Sequence, residues 1–342
     1  MGNNETGEGM SRGMFEFIKD EPAYQQSEKD WIVELLRSDQ FWYDMIVNPP
    51  EGFDSKKFIS EYLEALRETV KSQLDKRFIY FLASRKKVRF STAKKPRYAL
   101  FGENLIFYVE IGRDRKLRRL STTIIDAESG RAIKPSVSVT DRIITIEYSK
   151  IHKVSIPIYD FLLHSGIELG LNTEIHYVGY TANPSDRPLN LVHRGFADML
   201  YRVSNDDNDF FVFYNLFKVI SVGRNSRSCL NFAVANSMID QVEVDDEGKI
   251  IEKCLIKYFG AESQKINKKN EEAELKNSLL SLVEKYKINT ITMHMEMEQP
   301  SEIYRFFSKQ VPPADVHRFV IKLVNNVVEL CPLGSREGMA FE

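Results

Sequence analysis

Cysteine is scarce in this chain. Cys229, Cys254 and Cys331 are scattered through 342 residues, and no two of them form a CxxC pair. That excludes a disulfide framework and a thiolate zinc site as organising devices, and it suits a reducing compartment. Long hydrophobic runs are also missing. No apolar stretch approaches the ~18 residues needed to cross a bilayer, so no membrane partner is expected. Residues 1–13, MGNNETGEGMSRG, are polar and Gly-rich and lack the apolar segment of a secretory leader, so disorder there and cytoplasmic residence are the expectation. Charge of one sign is absent overall: 47 Lys and Arg face 49 Asp and Glu, a net charge of −2. Any affinity for a polyanion must therefore be local. There is no internal repeat.

A hydrophobic content of 43% with 28% charged residues is ordinary for a globular protein, and 342 residues suffice for two or three domains. Apolar spacing predicts helices near Glu28–Leu36 (Trp31, Ile32, Leu35, Leu36) and Ser55–Leu74 (Phe58, Tyr62, Leu66, Val70), separated by Pro49-Pro50. From Lys76 the pattern turns to strands rich in β-branched and aromatic residues, at Phe78–Leu82, Arg97–Ile111, Leu120–Asp126 and Ile143–Tyr148. Residues 14–150 thus read as a helical lead plus a β-rich domain that binds nucleic acid or a partner. Residues 151–267 alternate strand and helix. Residues 268–342 read as an α/β appendage with a helix at Leu275–Tyr286, a strand at Thr290–Met297 and a helix at Ala314–Leu330, expected to dimerise or regulate. The fold class is α+β.

The densest chemical signal is Tyr177–His193, YVGYTANPSDRPLNLVH. A strand carrying Tyr177 ends in a turn at Ala182–Asp186, and a helix opens with Arg187-Pro188, proline being suited to a first turn. An arginine is unusual there, because the helix dipole disfavours a cation at that end. Tyr177, Gly179, Thr181 and Arg187 have the spacing of the second half of the motif of the GIY-YIG nucleases, and residues 151–267 resemble that family. The resemblance implies a small mixed α/β nuclease domain. The first half, Gly-Ile-Tyr, belongs on a preceding strand. Gly166-Ile167-Glu168 keeps two of its three residues, and Ile158-Tyr159 can supply the tyrosine from an earlier strand. Tyr180 and Tyr258 are further phenols.

Glu252 is the second anchor. Lys249, Lys253 and Lys257 repeat at i, i+4 as a solvent stripe, and Glu252 lies off it, on the side of Ile256 and Phe259. A covered carboxylate needs a partner. Either Lys249 or a divalent cation can serve, and Mg²⁺ takes one or two carboxylates plus phosphate and water. The family resemblance extends here, to a glutamate helix followed by an asparagine, with Asn267 in that place. It implies metal-dependent hydrolysis of DNA, in restriction or phage defence with partner proteins of such a system. Tyr177 or Tyr159 would act on the water, Arg187 on the phosphate, and His193 as base or at the leaving group. Glu252 would hold Mg²⁺ or Mn²⁺, and Thr181 and Asn267 would place substrate. A core without the first tyrosine would instead bind nucleic acid or act as a scaffold.

A separate signal is electrostatic. Lys76–Arg119 holds fourteen Lys or Arg against three acids, a net charge of +11, with Phe90, Tyr98 and Phe101 interspersed. Arg85, Lys86, Lys87 and Arg89 are expected to meet a phosphate backbone, and the aromatics to stack on bases. The acidic runs at 205–209 and 245–247 read as solvated turns.

Overall fold

The computed structural model describes residues 11–51, 54–73, 77–126, 128–185, 197, 199–201, 203–225, 230–260, 268–297 and 301–333. In chain order the strands are β1 (Glu28–Trp42), β2 (Phe78–Lys86), β3 (Val88–Phe90), β4 (Arg97–Tyr98), β5 (Asn104–Ile111), β6 (Lys116–Ile125), β7 (Ala132–Ile133), β8 (Ser136–Val139), β9 (Ile143–Glu147), β10 (Lys153–Pro157), β11 (Thr173–Thr181), β12 (Asn208–Asn225), β13 (Leu230–Ala235), β14 (Ile288–Glu296), β15 (Phe306–Phe307), β16 (Val316–Val324) and β17 (Val327–Pro332). The principal helices are α1 (Ser55–Gln73), α2 (Ile158–His164), α3 (Val244–Phe259) and α4 (Lys268–Tyr286). The class is mixed α/β, with strand outweighing helix.

One nine-stranded sheet organises the chain, in the order β15-β11-β2-β12-β1-β14-β16-β17, with β13 also paired to β12. β2 lies inside it, and Phe78–Arg85 are all buried, as expected of a strand covered on both faces. Its side chains alternate between two clusters: Ile79, Phe81 and Ala83 face a core that includes α3 and α4, while Phe78, Tyr80 and Leu82 face a second core that includes Ile59 and Leu63 of α1. Between β2 and β11 the chain makes a long excursion through β3–β10 and α2. It forms a five-stranded and a three-stranded sheet whose core, with Phe90, Phe107 and Ile146, is continuous with the first cluster.

This architecture corrects several expectations. The sheet crosses both boundaries read from the sequence: β1 and β2 come from 14–150, β11 and β12 from 151–267, and β14–β17 from 268–342. The segment Glu28–Leu36 is a strand, because Lys29, Trp31 and Val33 alternate inward between β12 and β14. Buried Lys29 is tolerated because Nζ donates to the Tyr24 and Ser27 carbonyls (2.9 Å each), though burial lowers its pKa to about 8. The expected helix Ala314–Leu330 is a hairpin: His317, Phe319 and Ile321 point inward on β16, and Asn325-Asn326 turn it with φ of 48° and 65°. Of residues 1–13, Arg12 is docked, with Nε donating to Asp240 (2.6 Å) and Nη2 to the Val242 carbonyl (2.9 Å). The helix at Ser55–Gln73 and the strand Ile288–Glu296 fall where expected, while the helix expected from Leu275 begins already at Lys268 and ends at Tyr286 as expected. α3 ends at Gly260, whose φ of +57° suits a glycine helix stop.

Candidate active site

Tyr177 lies on β11, as its β-branched and aromatic neighbours predict, and β11 pairs antiparallel with β2. A register shift between Ile175 and Tyr177 turns Tyr177 towards the α1 side, whereas Ile175 and Val178 face the α3 side. On that α1 side Tyr177 meets Tyr80, the rings stacked with centroids 5.9 Å apart. Tyr80 is 1% exposed and Tyr177 half-buried. Gly179, opposite Tyr80 in the ladder, explains the closeness: a Cβ there would collide with the Tyr80 ring and hydroxyl and with the Tyr177 ring. Glycine is required because two phenols occupy the space of its side chain.

Tyr80 is the functional candidate that the sequence reading missed. The phenol next to Tyr177 comes from Phe78-Ile79-Tyr80, on the strand beside β11 in the sheet but far from it in the chain. Tyr159 is not that phenol. It sits on α2 in the opposite core, where its hydroxyl donates to Asp209 Oδ2 (2.5 Å) and accepts from the Val88 N–H (3.0 Å). Burial, then the Asp209 charge, pushes it well above the ordinary phenol value. Tyr258 stacks on Phe319 at 4.0 Å, also in that core. Gly166-Ile167-Glu168 follows the end of α2 and is no strand.

Glu252 belongs to α3, which packs along β11 from the side opposite Tyr177. Gly248, one turn earlier, lets the helix press against the Tyr180 ring, whose hydroxyl donates to Asp245 (2.5 Å). The Glu252 carboxylate lies close enough to the Tyr180 backbone N–H for that dipole to favour its ionised form. Beyond Thr173 and Glu174, which pair with β15, β11 has no second strand neighbour among the described residues. The carboxylate therefore reaches the open edge of the same strand whose α1 side carries the two phenols. Burial, then the charge of Glu271, raises Glu252 to about 7. Lys249 does not neutralise it; that lysine pairs with Asp246 (3.9 Å).

No three His, Cys, Asp or Glu side chains gather as a metal site among the described residues. The carboxylates whose charge acts on Glu252 are Glu271 and, less strongly, Glu274. Thr181 is buried, and its hydroxyl closes the turn by donating to the Asn183 carbonyl (3.1 Å) and accepting from the Asn183 N–H (3.0 Å). It shapes the end of β11 and has no hydroxyl proton left for substrate. Arg187, His193 and Asn267 lie outside the described residues.

The cations of the basic run at 85–89 all have partners within the chain. Arg85 is buried and its Nη2 pairs with Glu302. Lys86 binds Asp207 (2.6 Å), Lys87 donates to the Asn205 carbonyl, and Arg89 makes a two-pronged pair with Asp209 (2.6 and 2.9 Å). The acidic loop at 205–209, read as a solvated turn, folds onto this run. The opposing charges are 120 residues apart in sequence for Arg89 and Asp209, which is why composition alone misjudged both. The β5–β6 hairpin differs: Arg113, Arg115, Lys116 and Arg119 are exposed. No helix among the described residues is long and apolar enough to cross a membrane. A comparison with protein-family models finds no match, and comparisons with curated proteins and with solved structures find none either.

Proposed function

We propose that the chain hydrolyses phosphodiester bonds in DNA with the help of a divalent cation, at the edge of β11. The observation that carries this reading is the pair Tyr80 and Tyr177 over Gly179, beside the edge of β11 near which Glu252 lies. On a GIY-YIG-like reading the two motif strands would be β2 and β11, neighbours in the sheet separated in sequence by the β3–α2 excursion, with Glu252 meeting the phenols only around the edge of β11, since its helix packs on the opposite face. Tyr177, the more exposed phenol, orients the attacking water by hydrogen bonding. Tyr80 holds the Tyr177 ring in place. Glu252, with Glu271 beside it, would hold Mg²⁺ or Mn²⁺, which polarises the phosphate and offsets charge on the leaving oxygen. Arg187 is the guanidinium assigned to the scissile phosphate, and the β5–β6 hairpin supplies the positive surface for the backbone.

Incubation of supercoiled plasmid with the purified protein, with and without Mg²⁺, tests this. Metal-dependent nicking should fall by ~10²–10⁴ in Tyr177→Phe and be lost in Glu252→Gln and Arg187→Ala. Nicking that survives in all three variants, or none on any DNA substrate, would refute the proposal.

A further inference from the structure

The five-stranded sheet of the β3–α2 excursion buries only one of its faces. Leu105, Phe107 and Val109 of β5 and Leu120 of β6 point into the core. Alternation puts the intervening residues on the other face, where the register sets Tyr108 opposite Arg119, Glu110 opposite Leu117 and Arg97 opposite Ile106. Tyr108 is half-buried and belongs to neither core cluster. The Lys94 ammonium lies over its ring, 4.7 Å from the centre. Arg97 and Arg119 are exposed, and neither meets an acid among the described residues. Glu110, an acid on this face, is matched by Arg115 at 4.0 Å. Lys94, Arg97 and Arg119 are thus cations in excess around one aromatic ring. Of the aromatics expected to stack on bases, Phe90 is buried, and Tyr98 faces the core with its hydroxyl donating to the Pro135 carbonyl (2.8 Å). Phe101, in the β4–β5 turn, is 95% exposed.

We infer that this face is a platform for single-stranded DNA, with a base stacked on Tyr108 and phosphates against Lys94, Arg97 and Arg119. The inference rests on the DNA reading above and adds a strand preference to it. Two features select this occupant. Cations without acids suit a polyanion. A ring standing among them suits a polyanion that also offers flat apolar surfaces, as unpaired bases do. A duplex keeps its bases stacked inward and would meet only the cations. Lys94 is exposed, and an exposed cation holds a ring weakly. A base can therefore take its place over Tyr108, while the ammonium turns to a neighbouring phosphate. Phe101 offers a second ring further along the DNA.

Fluorescence anisotropy of the full chain with labelled oligothymidylate of ~15 nucleotides, and with a duplex of the same length, tests the platform. Mg²⁺ is left out, so binding is read without cleavage. The single strand should bind more tightly than the duplex. Tyr108→Ala should weaken single-strand binding at least ~5-fold and leave duplex binding unchanged, whereas Tyr108→Phe should retain both. Tyr108→Leu covers the sheet without a ring and should behave as the alanine variant does. Arg97→Ala should weaken both ligands and lower the single-strand salt slope by ~0.7. Full single-strand binding in Tyr108→Leu would make the ring a mere cover and overturn the proposal. Equal affinity for duplex and single strand, tighter binding of oligouridylate, or equal competition by polyglutamate would overturn it too. Plasmid nicking without a single-strand preference sinks the platform alone. Tyr108-dependent binding without nicking upholds the platform and sinks the nuclease reading alone.

Discussion

Glu252→Gln should make the protein more stable at neutral and alkaline pH, by an amount that vanishes in acid. In the folded chain burial and the Glu271 charge hold Glu252 at about 7, against an ordinary glutamate value of 4.5. A raised carboxyl pKa means that folding disfavours the ionised form. Below about pH 4.5 the group is protonated in both states and carries no penalty. Between 4.5 and 7 the unfolded chain loses its proton first, and stability falls by up to ~1.4 kcal/mol per pH unit. Above 7 the cost is constant, on the order of 3 kcal/mol. Glutamine keeps the size of the side chain and removes the charge. The assay is urea unfolding of both proteins from pH 4.5 to 8.5. Other groups that titrate in this range are common to both chains and cancel in the comparison. They include His317, lowered to about 4 by burial. The difference should be near zero at pH 4.5 and approach ~3 kcal/mol at pH 8. If Mg²⁺ binds Glu252, millimolar Mg²⁺ should stabilise the parent alone and narrow that gap. A difference independent of pH, or a glutamine variant less stable at pH 8, would refute the reasoning.

Nicking by the parent should rise through pH ~7 as Glu252 ionises, and its midpoint should move down with added Mg²⁺, since metal and proton compete for one carboxylate; a pH profile insensitive to Mg²⁺ contradicts this. Gly179→Ala pushes a methyl group into the Tyr80 and Tyr177 rings and should cost ~1–3 kcal/mol in chemical denaturation, with nicking lost before the fold is. Arg113→Glu with Arg119→Glu should weaken DNA binding and flatten its salt dependence, while leaving thermal stability unchanged, as measured by fluorescence anisotropy and calorimetry. Arg89→Met should do the reverse: Asp209, 4% exposed, loses its two-pronged partner, so unfolding should shift by ~3–5 kcal/mol with the DNA salt slope unaltered.

Local chemistry was legible where the deciding contacts are near in sequence. The α3 helix, its stop at Gly260 and the covered position of Glu252 follow from spacing alone. So does Tyr177 on a strand. Two segments misled because helix and strand periods overlap over short apolar runs. At Glu28–Leu36 the alternation of Lys29, Trp31 and Val33 was masked by the lysine, which spacing assigns to solvent and the structure buries under Tyr24, its Nζ 4.5 Å from that ring centre. At 316–330 the Asn325-Asn326 pair was the overlooked turn signal.

The larger error was topological, and the tyrosine pair shows why. Spacing along the chain favoured a first tyrosine near Tyr177, and so pointed to Tyr159. The sheet instead sets Tyr80 beside Gly179 across the β2–β11 ladder, after an excursion that builds two smaller sheets. Loop-closure cost grows only with the logarithm of length, so an insertion of that size hardly penalises the pairing of the strands that flank it. Sequence distance is therefore a poor guide to the partner of a strand residue. The better guide was Gly179 itself: a glycine inside a strand signals that something large approaches its backbone, and Phe78-Ile79-Tyr80-Phe81-Leu82 is an uncharged aromatic run upstream that supplies it.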